Sequence, residues 1–143
     1  MSYATVDDAI SLYGEDYVLV SVDRDKDGEA DPSAIEDALG QASSEIDSYI
    51  AFKYDVPISP SPKILVKYCV DIAIYQSSPG TLARTKEKRQ RYEDAIAWLK
   101  AVSKGMAAIV IDGPTDPEPD QSNEPVLSAG TREMTRSKMS GLL

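Results

Sequence analysis

Residues 61–74 read Ser-Pro-Lys-Ile-Leu-Val-Lys-Tyr-Cys-Val-Asp-Ile-Ala-Ile. Ser61 suits a helix cap and Pro62 the first helical position, where a missing N–H costs nothing. The segment is then apolar on nearly every side. Only Lys63, Lys67 and Asp71, spaced four apart, form a polar stripe. A helix of this kind sits at the centre of a bundle, covered by its neighbours. Cys69, in the middle of the run, reads as a small core residue.

Working outward, the neighbours are amphipathic. Upstream, Ser33 and Glu36 have capping-box spacing. Ile35, Leu39, Ala42, Ile46, Tyr49 and Ile50 then recur at helical intervals, which predicts a helix from Ser33 to about Tyr54. Pro57, Pro60 and Pro62 end it. Downstream, Ser78-Pro79-Gly80 is a turn, and a helix follows from about Thr85 to Lys104 with Gly105 as its stop. Tyr92, Ala95, Ile96, Leu99 and Val102 form its apolar stripe, with Trp98 at the border.

A short first helix is expected between Thr5, capping with Asp8, and Gly14, with Ile10 and Tyr13 facing inward. The stretch Tyr17-Val-Leu-Val-Ser-Val22 favours a strand by its β-branched content, with a short helical turn as the alternative. The expected fold class is therefore all-α: a small helical bundle of four to five helices with an extended C-terminal arm.

The expected organisation is a helical core over 1–105, a linker over 106–125 and a docking tail over 126–143. Met106-Ala-Ala-Ile-Val-Ile111 is short and apolar, as a strand or a packing arm would be. Residues 112–125 hold Pro114, Pro117, Pro119 and Pro125 among five acidic side chains, a composition that stays extended and buries nothing. The terminal stretch carries Arg132, Arg136 and Lys138 and ends with Met139, Leu142 and Leu143. A stiff linker leading to a patterned tail predicts that the tail has a docking partner.

Composition narrows the function. The chain has 143 residues, with 15 Lys plus Arg against 24 Asp plus Glu, a formal net charge of −9. Such a chain has no general attraction for phosphate, which argues against a dedicated nucleic-acid reader. It has no histidine, hence no serine–histidine machinery and none of the commonest metal ligand. One cysteine excludes an internal disulfide framework and a cysteine zinc site. No phosphate-cradling glycine loop occurs. An enzyme is not expected. The opening MSYATVDDAI has neither a basic n-region nor an apolar h-region, so no signal peptide is expected, and no apolar run approaches a membrane span.

Two clusters stand out. Asp23-Arg-Asp25-Lys-Asp27-Gly28 matches the first half of an EF-hand loop, with acidic groups at alternate positions and a glycine at the sharp turn. The second half departs: Ala34 stands where a bidentate Glu belongs. A structural calcium ion on Asp23, Asp25, Asp27 and Asp31 is one expectation. An Asp/Gly-rich turn with Asp31 at a helix N-terminus is the other. No cofactor is required. The second cluster, Arg84, Lys86, Lys88, Arg89 and Arg91, is interrupted by acidic residues. It reads as a solvated helix face, or as one that meets a neighbouring subunit through Arg84, Lys88 and Arg91.

The chain as a whole resembles the Mu-like head–tail connector family, the small adaptors beneath the portal of tailed phages. The resemblance is carried in order by Tyr3-Ala-Thr-Val-Asp-Asp-Ala-Ile10, Tyr13-Gly14, the Asp23–Gly28 loop, Ala42-Ser-Ser-Glu-Ile-Asp-Ser-Tyr-Ile50 and Tyr54-Asp-Val-Pro57. Val70-Asp-Ile-Ala73, Arg91-Tyr-Glu-Asp-Ala-Ile-Ala-Trp-Leu99 and Thr135-Arg-Ser-Lys-Met-Ser-Gly-Leu142 continue it. It implies a non-enzymatic virion protein of the neck: a ring, commonly of twelve subunits, between the portal and the tail-completion or neck proteins. DNA would pass through the lumen without specific binding, and no membrane is involved. In that setting the tail docks on the portal or a neighbour, oriented by Arg132, Arg136 and Lys138 and anchored by Met139, Leu142 and Leu143. A small calcium-binding helical interaction module is the alternative.

Overall fold

A computed structural model describes residues 1–23 and 31–111, with the side chains of Thr81 and Leu82 left aside. Among them there is no strand. The described residues form five helices of eight or more residues and one short helical turn: α1 (Val6–Tyr13), α2 (Glu15–Val22), α3 (Pro32–Ile50), α4 (Lys63–Ser77), α5 (Gly80–Ala83) and α6 (Lys86–Ser103). The all-α expectation holds. Residues 112–143, which hold the larger part of the 106–125 linker and the whole tail, lie outside the described residues.

α4 is the hub. It packs on α3 along one side, on α6 along another, and on the α1–α2 pair along a third. Leu65, Cys69, Val70 and Ile72 are fully buried. They meet Ile46 and Ile50 from α3 and Leu99 and Val102 from α6 in one core. Each large aliphatic side chain so enclosed contributes about 1.5–3 kcal/mol. Cys69 lies wholly inside, its sulfur 3.3 Å from Ser43 Oγ, and burial pushes its thiol pKa up.

The helix ends follow local chemistry. Thr5 Oγ1 accepts the Asp8 N–H at 3.2 Å, and Asp8 Oδ2 accepts the Thr5 N–H at 2.8 Å, a complete capping box. Gly14 stops α1 and starts α2 at φ +86° and ψ 153°, a backbone open essentially to glycine alone. α6 ends in a Schellman motif. Gly105, at φ +78°, donates to Val102 O at 3.0 Å, and Met106 N–H donates to Ala101 O at 2.8 Å.

Three local expectations are corrected. Tyr17–Val22 is helix, not strand. Helical spacing puts Val18 and Val22 on one face, and both are buried, so core burial outweighs the modest β preference of valine. The Ser33–Glu36 box is not formed. α3 starts one residue earlier, with Asp31 as N-cap and Pro32 in the first turn, and the Asp31 carbonyl accepts the Ala34 and Ile35 N–H groups. α3 also stops at Ile50, and Lys53 and Tyr54 N–H both fold back on the Ile50 carbonyl.

The connection from α3 to α4 is held by two tyrosines. Tyr3 Oη accepts the Ile58 N–H at 3.1 Å and donates to Asp47 Oδ1. Tyr54 Oη accepts the Ile109 N–H at 2.9 Å. Residues 106–111 thus form a packing arm and not a strand, with Ile109 tucked into the core.

Candidate interaction surfaces

Of the polar stripe expected on α4, Lys63 and Lys67 are exposed, but Asp71 is not on the surface. Asp71 is buried, and its carboxylate accepts from Tyr13 Oη on α1 while Lys67 Nζ stands 3.6 Å away. The covering α1–α2 pair closes over it. Burial, then the hydrogen bond to Asp71, drives the Tyr13 phenol well above its ordinary pKa. Beside this pair, the Arg91 guanidinium lies 4.5 Å from the Tyr13 ring centroid, is within 3.4 Å of Tyr17 Oη and pairs with Glu87. One node therefore joins α1, α2, α4 and α6. Its members were visible only as separate letters, because no sequence spacing links Tyr13 to Asp71 or Tyr17 to Arg91.

The three basic candidates part company. Arg84 is exposed, its guanidinium 5.1 Å from the Tyr75 ring centroid. Arg91 is half-buried in the node. Lys88 is only 6% exposed and points inward. Its ammonium donates to Ser21 Oγ at 2.9 Å and Ser78 Oγ at 3.1 Å and lies 5.3 Å from the Tyr17 ring centroid. Ser21 is in the last turn of α2 and Ser78 is the C-cap of α4. Two helix C-termini, each with negative dipole character, thus face this buried cation. Burial still lowers its pKa. The assignment of Lys88 to a subunit interface is corrected: the side chain is spent inside its own subunit.

Asp23 is the C-cap of α2 and Asp31 the N-cap of α3. Asp25 and Asp27 lie outside the described residues, as do Arg132, Arg136, Lys138, Met139, Leu142 and Leu143. Among the described residues no cluster of three metal-ligating side chains occurs, and no helix is long and apolar enough to cross a membrane.

Sequence patterning missed the most conspicuous surface. At the end of the bundle where α3 stops and α4 begins, Phe52 is 88% exposed, with Val56 and Ile64 open beside it in the chain. The arm after α6 arrives at the same end, tied there by Tyr54 and Ile109, and exposes Met106 (76%), Val110 (74%) and Ile111. Between the two runs is an open groove of about 450 Å³ whose lining mixes polar Lys53, Asp55 and Ser59 with Tyr54, Ile58 and Ile111. Six large apolar side chains on one end are more than scattered surface residues, and such patches mark contact with another macromolecule. The available signal was negative: Phe52 and Val56 belong to no helical stripe.

A family model described as Bacteriophage Mu, Gp36, matches residues 3–128. Among curated proteins, "Gene product J" of Escherichia phage Mu is 29% identical over 139 residues, covering 90% of this chain and 95% of that protein. "Mu-like prophage FluMu protein gp36" of Haemophilus influenzae is 30% identical over 101 residues, 71% of this chain and 70% of that one.

Proposed function

From the premise that this chain belongs to the bacteriophage Mu Gp36 family, we propose that it is a structural virion protein and not an enzyme. It acts as a head–tail adaptor at the virion neck. Copies form a ring, commonly of twelve, that joins the portal to the neck or tail-completion proteins, and DNA passes through the lumen unread. The observation that carries this reading is the apolar end formed by Phe52, Ile64, Met106 and Val110, a surface suited to permanent contact with another protein. The net charge of −9 supports it too, since an acidic wall does not retain passing DNA.

The tail supplies a second attachment. Arg132, Arg136 and Lys138 orient it and Met139, Leu142 and Leu143 anchor it on the portal or a neighbour. Weak single contacts repeated around a ring become strong through effective concentration. The test is deletion of residues 126–143, followed by measurement of how much of the chain is incorporated into portal-bearing capsids. Loss of incorporation is expected. Unchanged incorporation removes the tail from the mechanism, and absence of the full-length chain from purified particles removes the adaptor reading itself.

A further inference from the structure

The apolar end is also basic. Residues 51–67 and 100–111 hold Lys53, Lys63, Lys67, Lys100 and Lys104, and Asp55 is their single acidic side chain. Residues 1–23 have the opposite character, with Asp7, Asp8, Glu15, Asp16 and Asp23 and no lysine or arginine. On α1 and α2, exposed Asp7, Glu15 and Asp16 accompany exposed Leu12 and Val20, the latter 68% open. Val20 neighbours Ser21, which meets the C-cap region of α4 through Lys88, whereas Ile64 is at the N-terminal end of α4. Fifteen residues of α4 at ~1.5 Å each separate those two places by roughly 20 Å.

Two separate faces, each with apolar side chains and of opposite charge, suit pairing of one face with the other and not of either with itself. Pairing the apolar end with itself would bring lysines together, and pairing the α1–α2 face with itself would bring carboxylates together. A head-to-tail contact satisfies both, and such contacts close into rings when the rotation allows. We propose that the lysine-rimmed end of one copy docks on the acidic α1–α2 face of the next, with Phe52 and Met106 meeting Leu12 and Val20. The inference rests on the ring reading for its partner, a second copy of this chain, and adds which faces touch.

Cross-linking tests it. The variants are Phe52→Cys, Val20→Cys and the two combined, treated with a short thiol-reactive cross-linker in concentrated purified protein and in assembled particles. Cys69 is fully buried, so the unaltered chain is the blank. The combined variant is expected to give a ladder of dimer, trimer and higher species, and each single variant none. A ladder in either sample supports the contact. A product that stops at dimer in Phe52→Cys alone identifies a two-fold contact and overturns the proposal, as does the absence of a ladder in both samples. Charge gives a second arm. Glu15→Lys with Asp16→Lys should weaken association roughly tenfold or more. Adding Lys53→Glu and Lys104→Glu should restore it, and failure to restore counts against the pairing. A ladder from a chain missing from virions refutes the adaptor reading alone. A virion protein that forms no ladder refutes the contact alone.

Discussion

Replacing Tyr13 by Phe should destabilise the protein by about 2 kcal/mol. The variant keeps the ring that Arg91 covers at 4.5 Å, so packing changes little. It removes the phenol O–H that donates to Asp71 Oδ1. Hydrogen bonds to charged groups contribute about 1.5–3 kcal/mol, and a buried acceptor left unpaired costs a similar amount. Lys67 softens the loss only slightly, because at 3.6 Å from Asp71 Oδ2 it is half-exposed and solvent screens it. For the Met1–Gly113 unit, an unfolding entropy of ~2.1 cal/mol/K per residue turns about 2 kcal/mol into a fall in melting temperature of about 8 °C. The assay is urea and thermal unfolding at pH 7 of four proteins: the parent, Tyr13→Phe, Asp71→Asn and the double variant. The cycle should show a coupling of about 1 kcal/mol or more between the two positions. A loss below about 0.5 kcal/mol in Tyr13→Phe, or additive single effects, would refute the claim that this pair clamps α1 onto α4.

Alkaline pH should unfold the protein through its buried phenols. Burial, then the hydrogen bond to Asp47, raises Tyr3 from 10.0 to about 12, and Tyr13 is raised as well. A raised pKa means the folded state holds its proton longer. This stability is fully present below about pH 10 and is lost as pH climbs from 10 toward 12, of order 2 kcal/mol for Tyr3. Unfolding free energy measured from pH 8 to 11.5 should fall steeply above 10, and the fall should be shallower in Tyr3→Phe; a flat profile would contradict it. Gly14→Ala should cost about 1–3 kcal/mol because its backbone lies where a Cβ is strained, although the space around it is open. Denaturant titration of that variant should move the midpoint without changing the slope, and an unshifted midpoint would show that the α1–α2 turn relaxes freely.

The sequence by itself determined most of the long helices, several of their caps and stops, and the centre of the bundle. Thr5 with Asp8, Gly14, Thr85 and Gly105 act within a few residues, so caps and positive-φ stops are legible without a third dimension. The all-round apolar run of α4 announced its own burial because only a surrounded helix can hide every side. Tertiary structure alone decided three other things. Tyr17–Val22 became helix because the core rewarded Val18 and Val22, a contest settled by partners distant in the chain. Asp71 and Lys88 became interior groups because the Tyr13 hydroxyl, 58 residues away, reaches Asp71 Oδ1, and the Ser21 hydroxyl, 67 residues away, accepts from the Lys88 ammonium together with Ser78. Phe52, Val56, Met106 and Val110 became one apolar end because the α3–α4 connection and the arm after α6 return to the same place. Capping and periodicity are short-range and printed in the letters, whereas pairing across the fold depends on which helix faces which, and that is fixed only when the whole core closes.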